Sequence, residues 1–252
     1  MQMALPLSNF QRRVALDFLL NGRYCSTPTH SALQTLKRMI VTIDGPAGSG
    51  KSTVAKLLAE RLKVRFLDTG AMYRAIAWAV LRSDVAESDA DAVAALLPSV
   101  QLHFEEEHLF VNREPVAEQI RTPEVTAVAS VIAANAAVRE RLVELQRRAG
   151  DNQSLVTEGR DQGTVVFPDA EFKFFLTASV DARARRRHRE LVSKGSSLTL
   201  STVRTQLQQR DQRDENREHA PMKPAKDAVI VDTSNLSIVQ VVDTLAEKIA
   251  AG

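Results

Sequence analysis

The segment from Ile40 to Thr53 constrains the fold more than any other part of the chain. Its sequence, IVTIDGPAGSGKST, begins with a short β-branched run and continues with a match to the phosphate-binding pattern G-x-x-x-x-G-K-[ST]. Behind it, Val54, Leu57, Leu58 and Leu62 recur at helical spacing. Strand, glycine loop and helix are the context that the pattern requires. The segment therefore predicts a loop that binds a nucleoside triphosphate.

Each residue type in this loop has a physical role. The glycines allow the backbone to approach phosphate oxygens closely, so that N–H groups and the helix N-terminus face the anion. Lys51 is expected to reach the outer phosphates, and the Ser52 hydroxyl to bind Mg²⁺. ATP and Mg²⁺ are the expected cofactors. The predicted nucleotide-binding residues are Gly45, Pro46, Ala47, Gly48, Ser49, Gly50, Lys51, Ser52 and Thr53.

Composition narrows the class of protein. The chain has 252 residues, of which 44% are hydrophobic and 25% charged, as in ordinary globular domains that bury a full core. No apolar run approaches the roughly 18–20 residues of a membrane-spanning helix. The single cysteine, Cys25, excludes an internal disulfide framework and a cysteine-based zinc site. These features predict a cytoplasmic protein without a membrane partner.

The positive charge is concentrated near the N-terminus. Residues 1–38 carry a net charge of +4, which leaves −2 for residues 39–252 out of a total of +2. A slightly acidic body is a poor polyanion-binding surface, so no nucleic-acid partner is expected. Met39 stands directly before the first predicted strand. Residues 1–38 are therefore predicted to be a poorly ordered or dispensable extension, either an over-extended reading frame or a basic targeting segment.

Strand and helix patterns alternate along the rest of the chain. Residues 101–116 differ, because apolar and polar positions alternate there with a period of two, which predicts a small β-containing insert. The whole pattern predicts an α/β fold with three layers around a parallel central sheet. The other predicted strands are 64–68, 154–157, 172–176 and 228–232, and the predicted helices are 71–81, 88–97, 122–148, 181–217 and 237–250.

Three further segments bear on the reaction. LDTGAMYR (67–74) and EGRDQGTVVFP (158–168) follow predicted strands, whose carboxyl ends bind ligands in doubly wound sheets. RDQRDENR (210–217) and the arginine-rich segment 183–189 carry arginines at helical spacing. For a single arginine, a solvated, ion-paired helix face is the alternative. As a set beside a phosphate-binding loop, they predict a lid that closes positive charge over transferring phosphates.

These segments together resemble the bacterial-type cytidylate kinases, which are CMP and dCMP kinases of the nucleoside monophosphate kinase group. The shared motifs are IDGPAGSGKST, LDTGAMYR, IRTPEV, EGRDQGTVVFPDA and RDQRDENR, in the family's order, within residues 39–252. The stretch GRDxGTVVFPxA is specific to this family. The resemblance implies a P-loop NTPase core, an insert for the monophosphate at about 98–150, and a helical lid at about 185–217. CMP and dCMP are the implied substrates, and a monomer is expected.

The resemblance also implies roles for individual residues. Arg74 and Arg160 would hold the CMP phosphate, with Thr69 nearby, where the family often has serine. Ser130, Arg139 and Asp161 would contact cytosine, while Arg210 and Asp214 would contact the ribose; Arg213 would be a lid or phosphate arginine. The implied catalytic residues are Lys51, Arg160, Arg187 and Arg217.

The chemistry of cytosine agrees with these roles. Cytosine presents an amino donor beside two acceptors, and a carboxylate (Asp161) with a guanidinium (Arg139) matches that pattern. Uracil would place an oxygen against the carboxylate, so UMP is expected to be a poor substrate. No catalytic base is required, because a phosphate monoester with a second pKa of about 6 is mostly dianionic at neutral pH. Two alternatives are another acceptor, such as UMP, AMP or shikimate, and a non-enzymatic module that binds nucleic acid.

Overall fold

The computed structural model describes residues 38–105 and 108–251. The strands are β1 (Ile40–Asp44), β2 (Arg65–Asp68), β3 (Leu102–Glu105), β4 (His108–Val111), β5 (Glu114–Pro115), β6 (Leu155–Gly159), β7 (Phe172–Thr177) and β8 (Val229–Asp232). The helices are α1 (Lys51–Leu62), α2 (Thr69–Leu81), α3 (Ala90–Leu96), α4 (Pro123–Ile132), α5 (Ala136–Ala149), α6 (Val180–Ser193), α7 (Leu200–Glu215) and α8 (Ile238–Ala251). Short 3₁₀ turns lie at Leu97–Ser99 and Gln119–Arg121, and a π-helical turn at Gln162–Val166.

A parallel sheet in the order β2-β6-β1-β7-β8 forms the centre of the fold. The β-branched residues that predicted β1 explain its central place, because Val41 and Ile43 are both fully buried. A strand that is buried on both faces has a continuous run of apolar residues in its sequence, whereas a half-exposed strand alternates apolar and polar residues. The parallel central sheet predicted from the sequence is confirmed.

Helices cover both faces of this sheet. On one face, Leu58 of α1 and Leu245 of α8 pack with Phe174 of β7 in one apolar cluster. On the other face, Ile76 of α2 and Leu142 of α5 belong to a second cluster that continues into the insert. These are the three layers expected from the sequence. Within the described ranges, no helix is long and apolar enough to cross a membrane.

The predicted β-containing insert is present as a small antiparallel sheet in the order β3-β4-β5. Asn112 and Arg113 both have positive φ (49° and 71°), as a tight hairpin turn between β4 and β5 requires. Leu109 and Val111 are buried on the side that joins the cluster of α2 and α5. The alternating residues therefore attach the insert to the main core.

Two long helices predicted from the sequence are each divided into two. The stretch 122–148 breaks after α4, and Asn135 caps α5 by accepting hydrogen bonds from the N–H groups of Ala137 and Val138. The stretch 181–217 breaks at Gly195, where φ is +83°, and Thr199 caps α7. The physical reasons are ordinary stop and start signals, a left-handed glycine and side-chain N-caps.

The strand register places the predicted site segments at one edge of the sheet. Asp44, at the end of β1, lies opposite Gly159 of β6 and Phe175 of β7, and Asp68 of β2 lies opposite Glu158. The loop after β1, the start of α2 and the turn after β6 therefore meet at the carboxyl ends of parallel strands, as predicted.

Candidate active site

The glycine loop after β1 is held in a conformation that depends on its glycines. Gly45 and Gly50 have φ values of 142° and 94°, which side chains of L-residues rarely allow. A Cβ at Gly45 would lie 2.0 Å from the carbonyl oxygen of Leu176 in β7. The loop is thus fitted closely against the sheet, and it opens directly into the N-terminus of α1.

Lys51 lies buried at the first position of α1. Its Nζ donates a hydrogen bond to the carbonyl oxygen of Pro46 at 2.7 Å and lies 3.5 Å from the hydroxyl of Ser49, so the ammonium group stays within the loop. Burial, and then the charge of Arg160, lower the pKa of Lys51 to about 7. An anionic phosphate beside this amine would favour its charged form.

Ser52 and Glu158 bring a hydroxyl and a carboxylate together beside the loop. The Ser52 hydroxyl donates to Oε1 of Glu158 at 3.1 Å. Burial, and then the nearby Asp68, raise the pKa of Glu158. Hydroxyl and carboxylate oxygens are ligands that Mg²⁺ accepts, and Mg²⁺ commonly needs only one or two protein ligands besides phosphates and water. No group of three metal-binding side chains occurs within 38–105 and 108–251. The donor set therefore fits Mg²⁺ rather than a metal enclosed by protein.

Thr69 begins α2 behind this pair. Its hydroxyl donates to the carbonyl oxygen of Glu158 at 2.6 Å, and the residue is buried. Thr69 was predicted to lie near the acceptor phosphate, and its hydrogen bond also holds the start of α2 to the end of β6.

Arginines from three elements approach the same edge of the sheet. Arg74 of α2 pairs with Asp68 at 3.2 Å, and Arg160, after β6, pairs through Nε with Asp214 of α7 at 2.8 Å. The Nε atoms of Arg74 and of Arg210 are buried and have no hydrogen-bond partner among the residues that the structure describes. Burial, and then the charge of Arg160, lower the pKa of Arg210 to about 10. These arginines form a concentrated positive field in which an anion would gain several donors.

A second group lies where the insert meets the turn after β6. Arg139 of α5 and Asp161 form a buried ion pair, and Nη1 of Arg139 also donates to the hydroxyl of Tyr73 at 3.3 Å. Ser130 of α4 is buried, and its hydroxyl has no hydrogen-bond partner within residues 38–105 and 108–251. The residues predicted to contact a base thus combine a carboxylate, a guanidinium and an unpaired hydroxyl.

A cavity of about 850 Å³ separates the insert from the end of α7. Ser130 lines it on the α4 side, and Arg213 and Arg217 line it on the other. The cavity therefore lies between Ser130, which was predicted to contact the base, and two arginines that were predicted to belong to the lid.

The remaining lid arginines have different surroundings. Arg187 of α6 pairs with Glu190 at 2.7 Å, and Arg213 of α7 is exposed. Arg217 donates through Nε to the carbonyl oxygen of Asp214 at 3.3 Å and through Nη2 to that of Ala220 at 3.1 Å. Within the described ranges, Arg187 forms no hydrogen bond or ion pair with another predicted site residue, although its charge contributes to lowering the pKa of Arg210.

Sequence patterns did not identify the contact through which Arg183 connects the lid helices to the glycine loop. Arg183 of α6 is buried, donates to the carbonyl oxygen of Ala47 at 3.1 Å, and forms an ion pair with Asp211 of α7 at 2.5 Å. Arg183 stands in the arginine run that was predicted to face phosphates, but its guanidinium binds protein groups. No spacing rule could have separated it from its neighbours in the same run.

The ion pair of Asp214 leads to an expected dependence of stability on acid. Burial raises the pKa of Asp214, but Arg160, Arg210 and Arg217 outweigh it and lower the pKa below the ordinary value of 3.8. The stabilisation is therefore complete above the unfolded pKa and is lost as the pH falls through the folded pKa. We expect the unfolding free energy of the wild type to fall more steeply below about pH 4 than that of Asp214→Asn. Denaturant titrations at a series of pH values measure this, and parallel curves would contradict it.

Comparison with known proteins agrees with this site. Residues 41–251 match the family model for cytidylate kinase. A cytidylate kinase of Thermosipho melanesiensis is 46% identical over 205 residues, covering 81% of this chain and 94% of that protein. One of Rhodopirellula baltica is 42% identical over 199 residues, covering 79% and 87%.

A longer relative also matches. A bifunctional pantoate ligase/cytidylate kinase of Parasynechococcus marenigrum is 45% identical over 246 residues, covering 94% of this chain and 49% of that protein. Since residues 39–252 are only about 85% of the chain, that match reaches residues before Met39. The structure of the predicted extension itself lies outside the described residues. From the glycine loop to α8, the chain belongs to the cytidylate kinase family.

Proposed function

We propose that this protein transfers the γ-phosphoryl group of ATP to CMP and dCMP, giving ADP with CDP or dCDP. The observation that carries the proposal is the meeting, at one sheet edge, of the loop around Lys51 with the buried pair of Arg139 and Asp161. The first group suits a triphosphate and the second suits cytosine. The family to which the chain belongs supports both assignments.

The donor side follows from the loop and α1. Backbone N–H groups of residues 47–53 would bind the phosphates of ATP, because they lie in the loop and at the start of α1, and the ammonium of Lys51 would add a cationic donor. Ser52 and Glu158 would hold Mg²⁺, which neutralises charge on the phosphates when bound. The protein's contribution here is to fix the triphosphate at the edge of the sheet.

The acceptor side depends on arginine. A phosphate dianion can accept two parallel hydrogen bonds from a guanidinium, which makes it a strong partner for Arg74 and Arg160. Both now pair with carboxylates, Asp68 and Asp214, so binding of CMP would redistribute existing ion pairs. Because Asp214 belongs to α7, this exchange would couple acceptor binding to the position of the lid.

Base selection would come from the insert. The carboxylate of Asp161 can accept the N4 amino protons of cytosine, while Arg139 and Ser130 can donate to its acceptors. Asp214 and Arg210 would contact the ribose. The absence of a general base is expected, because the attacking oxygen already carries charge and the chemistry reduces to alignment and charge neutralisation.

The proposal also assigns roles to the lid and the insert and an expected state to the protein. Arg187, Arg213 and Arg217 would be lid arginines that approach the phosphates when the lid closes. A cytoplasmic monomer that binds small nucleotides, and neither nucleic acid nor membranes, is the expected form. Residues 185–217 would then act as the lid, and residues 98–150 as the insert for the monophosphate.

Product analysis tests the proposal. The protein is incubated with Mg-ATP and CMP, and the nucleotides are separated by anion exchange. Formation of CDP and ADP in equal amounts is expected. ADP formation without CDP would contradict it, since that would make the protein an ATPase. Formation of neither ADP nor CDP would also contradict it, since that would indicate another acceptor.

A further inference from the structure

Asp44 is the last residue of β1 and stands directly before the glycine loop. Its side chain is buried, with 3% exposure. One carboxylate oxygen accepts the N–H of Gln162 at 2.9 Å, and the other accepts the N–H of Gly163 at 2.8 Å. These two bonds cross from β1 to the turn that follows β6, over 118 and 119 positions of sequence.

The turn that Asp44 holds is the one that presents the acceptor-binding residues. Gln162 and Gly163 follow Arg160 and Asp161 without a break, and they begin the π-helical turn. Any displacement of their N–H groups would carry Arg160 and Asp161 with it. The same aspartate is joined through its own backbone to Gly45. One carboxylate therefore lies between the donor loop and the acceptor turn.

The two hydrogen bonds are suited to fix a distance. A carboxylate with two separate N–H donors on consecutive residues has both oxygens committed, and the turn cannot slide without breaking one bond. Burial raises the pKa of Asp44 to about 7, although the bonds from Gly163 and Gln162 lower it. Burying a carboxylate costs free energy of desolvation, and the two hydrogen bonds from the turn after β6 offset part of that cost.

We propose that Asp44 is a positioning residue that sets the distance between the ATP loop and the CMP-binding turn. This inference rests on the proposed function and concerns alignment, not contact with substrate. Phosphoryl transfer requires the acceptor oxygen to stand in line with the transferred group, and a displacement of about 1 Å can cost about 10²-fold in rate. The residue matters for catalysis because it holds two loops that carry the reacting molecules.

The test compares Asp44→Asn with Thr42→Val in the full chain. Asparagine keeps the size but turns one acceptor into a donor that faces an N–H. We expect kcat/KM for CMP to fall by about 10²-fold while KM for ATP changes by less than about threefold. Thr42 lies on the same strand and is buried, and in the described part of the chain its hydroxyl has no hydrogen-bond partner. Thr42→Val should leave both kcat/KM for CMP and KM for ATP within about threefold of the wild-type values.

A structural role alone would give a different result. If Asp44→Asn lowered the melting temperature but kept kcat and KM for CMP, the inference would be overturned. Equal losses for ATP and CMP would also overturn it, since they would indicate collapse of the glycine loop. Inactivity of the wild type on CMP would instead refute the proposed function.

A second variant keeps the test decisive if Asp44→Asn fails to fold. Asp44→Glu retains the charge and both acceptors but moves them by about one bond length. We expect it to fold and to show the same selective loss for CMP. Full activity of Asp44→Glu would show that charge alone matters and would contradict a positioning role.

Discussion

Replacement of Lys51 by alanine is expected to reduce kcat by about 10²- to 10³-fold, because removal of one preorganised donor at a transferring group has an effect of that order. The Nζ of Lys51 is held inside the glycine loop by the carbonyl of Pro46, so its position is fixed before ATP binds. Steady-state measurement of ADP release at saturating CMP measures the loss.

The control for Lys51→Ala is Lys56→Ala on the exposed face of the same helix. Both variants are expected to fold, as circular dichroism and melting curves would show, and Lys56→Ala should retain turnover. The loop is held by backbone hydrogen bonds, so removal of the Lys51 ammonium is expected to leave the core packing intact. Normal turnover of Lys51→Ala would contradict the assignment of this loop as the phosphoryl donor site.

Asp161→Asn is expected to change which base is accepted. The amide keeps the size of the carboxylate, but it presents a donor where cytosine has its amino group, and it leaves Arg139 without its anionic partner. We expect kcat/KM for CMP to fall by about 10²-fold, as the loss of one buried hydrogen bond and the burden of an unpaired group imply. UMP should lose less, because its O4 can accept from the new amide. The ratio of kcat/KM for CMP to that for UMP measures the change.

Asp211→Asn is the matched control for this variant. Asp211 is also a buried aspartate paired with an arginine, Arg183, but it joins the lid to the glycine loop rather than to the base. Its replacement can alter the overall rate, yet the CMP to UMP ratio should stay as in the wild type. If Asp161→Asn and Asp211→Asn shifted the ratio equally, base recognition would not reside at Asp161.

The parts of the fold that follow from local sequence were predicted well. The strand, glycine loop and helix around Gly45 are encoded within a few residues, and the alternating pattern of 101–116 identifies the insert. The breaks at Asn135 and Gly195 were missed, although N-cap and glycine signals were present. The helical spacing of side chains continued across both breaks and outweighed these short signals. Each pair of helices was therefore predicted as a single helix.

The roles of the site residues stay predictions, and the sequence did not indicate their partners within the protein. Arg160 and Asp214 are 54 positions apart, and Asp44 bonds a turn 118 positions away. Such pairs depend on strand order and on the path of α7, which a single sequence does not specify. Glu158 beside Ser52 was missed for the same reason. Arg183 is a different case. It stands in a run of arginines in which some bind protein groups and others are expected to bind phosphate, and their spacing in the sequence does not distinguish the two kinds.

The proposed acceptor is a cytidine monophosphate. A coupled assay of ADP release with Mg-ATP and, in parallel, CMP, dCMP, UMP and AMP tests this identity, on the full chain and on a chain that begins at Met39. We expect turnover with CMP and dCMP in both proteins, and kcat/KM for UMP lower by about 10²-fold. Equal activity on UMP and CMP, or activity on AMP alone, would contradict it.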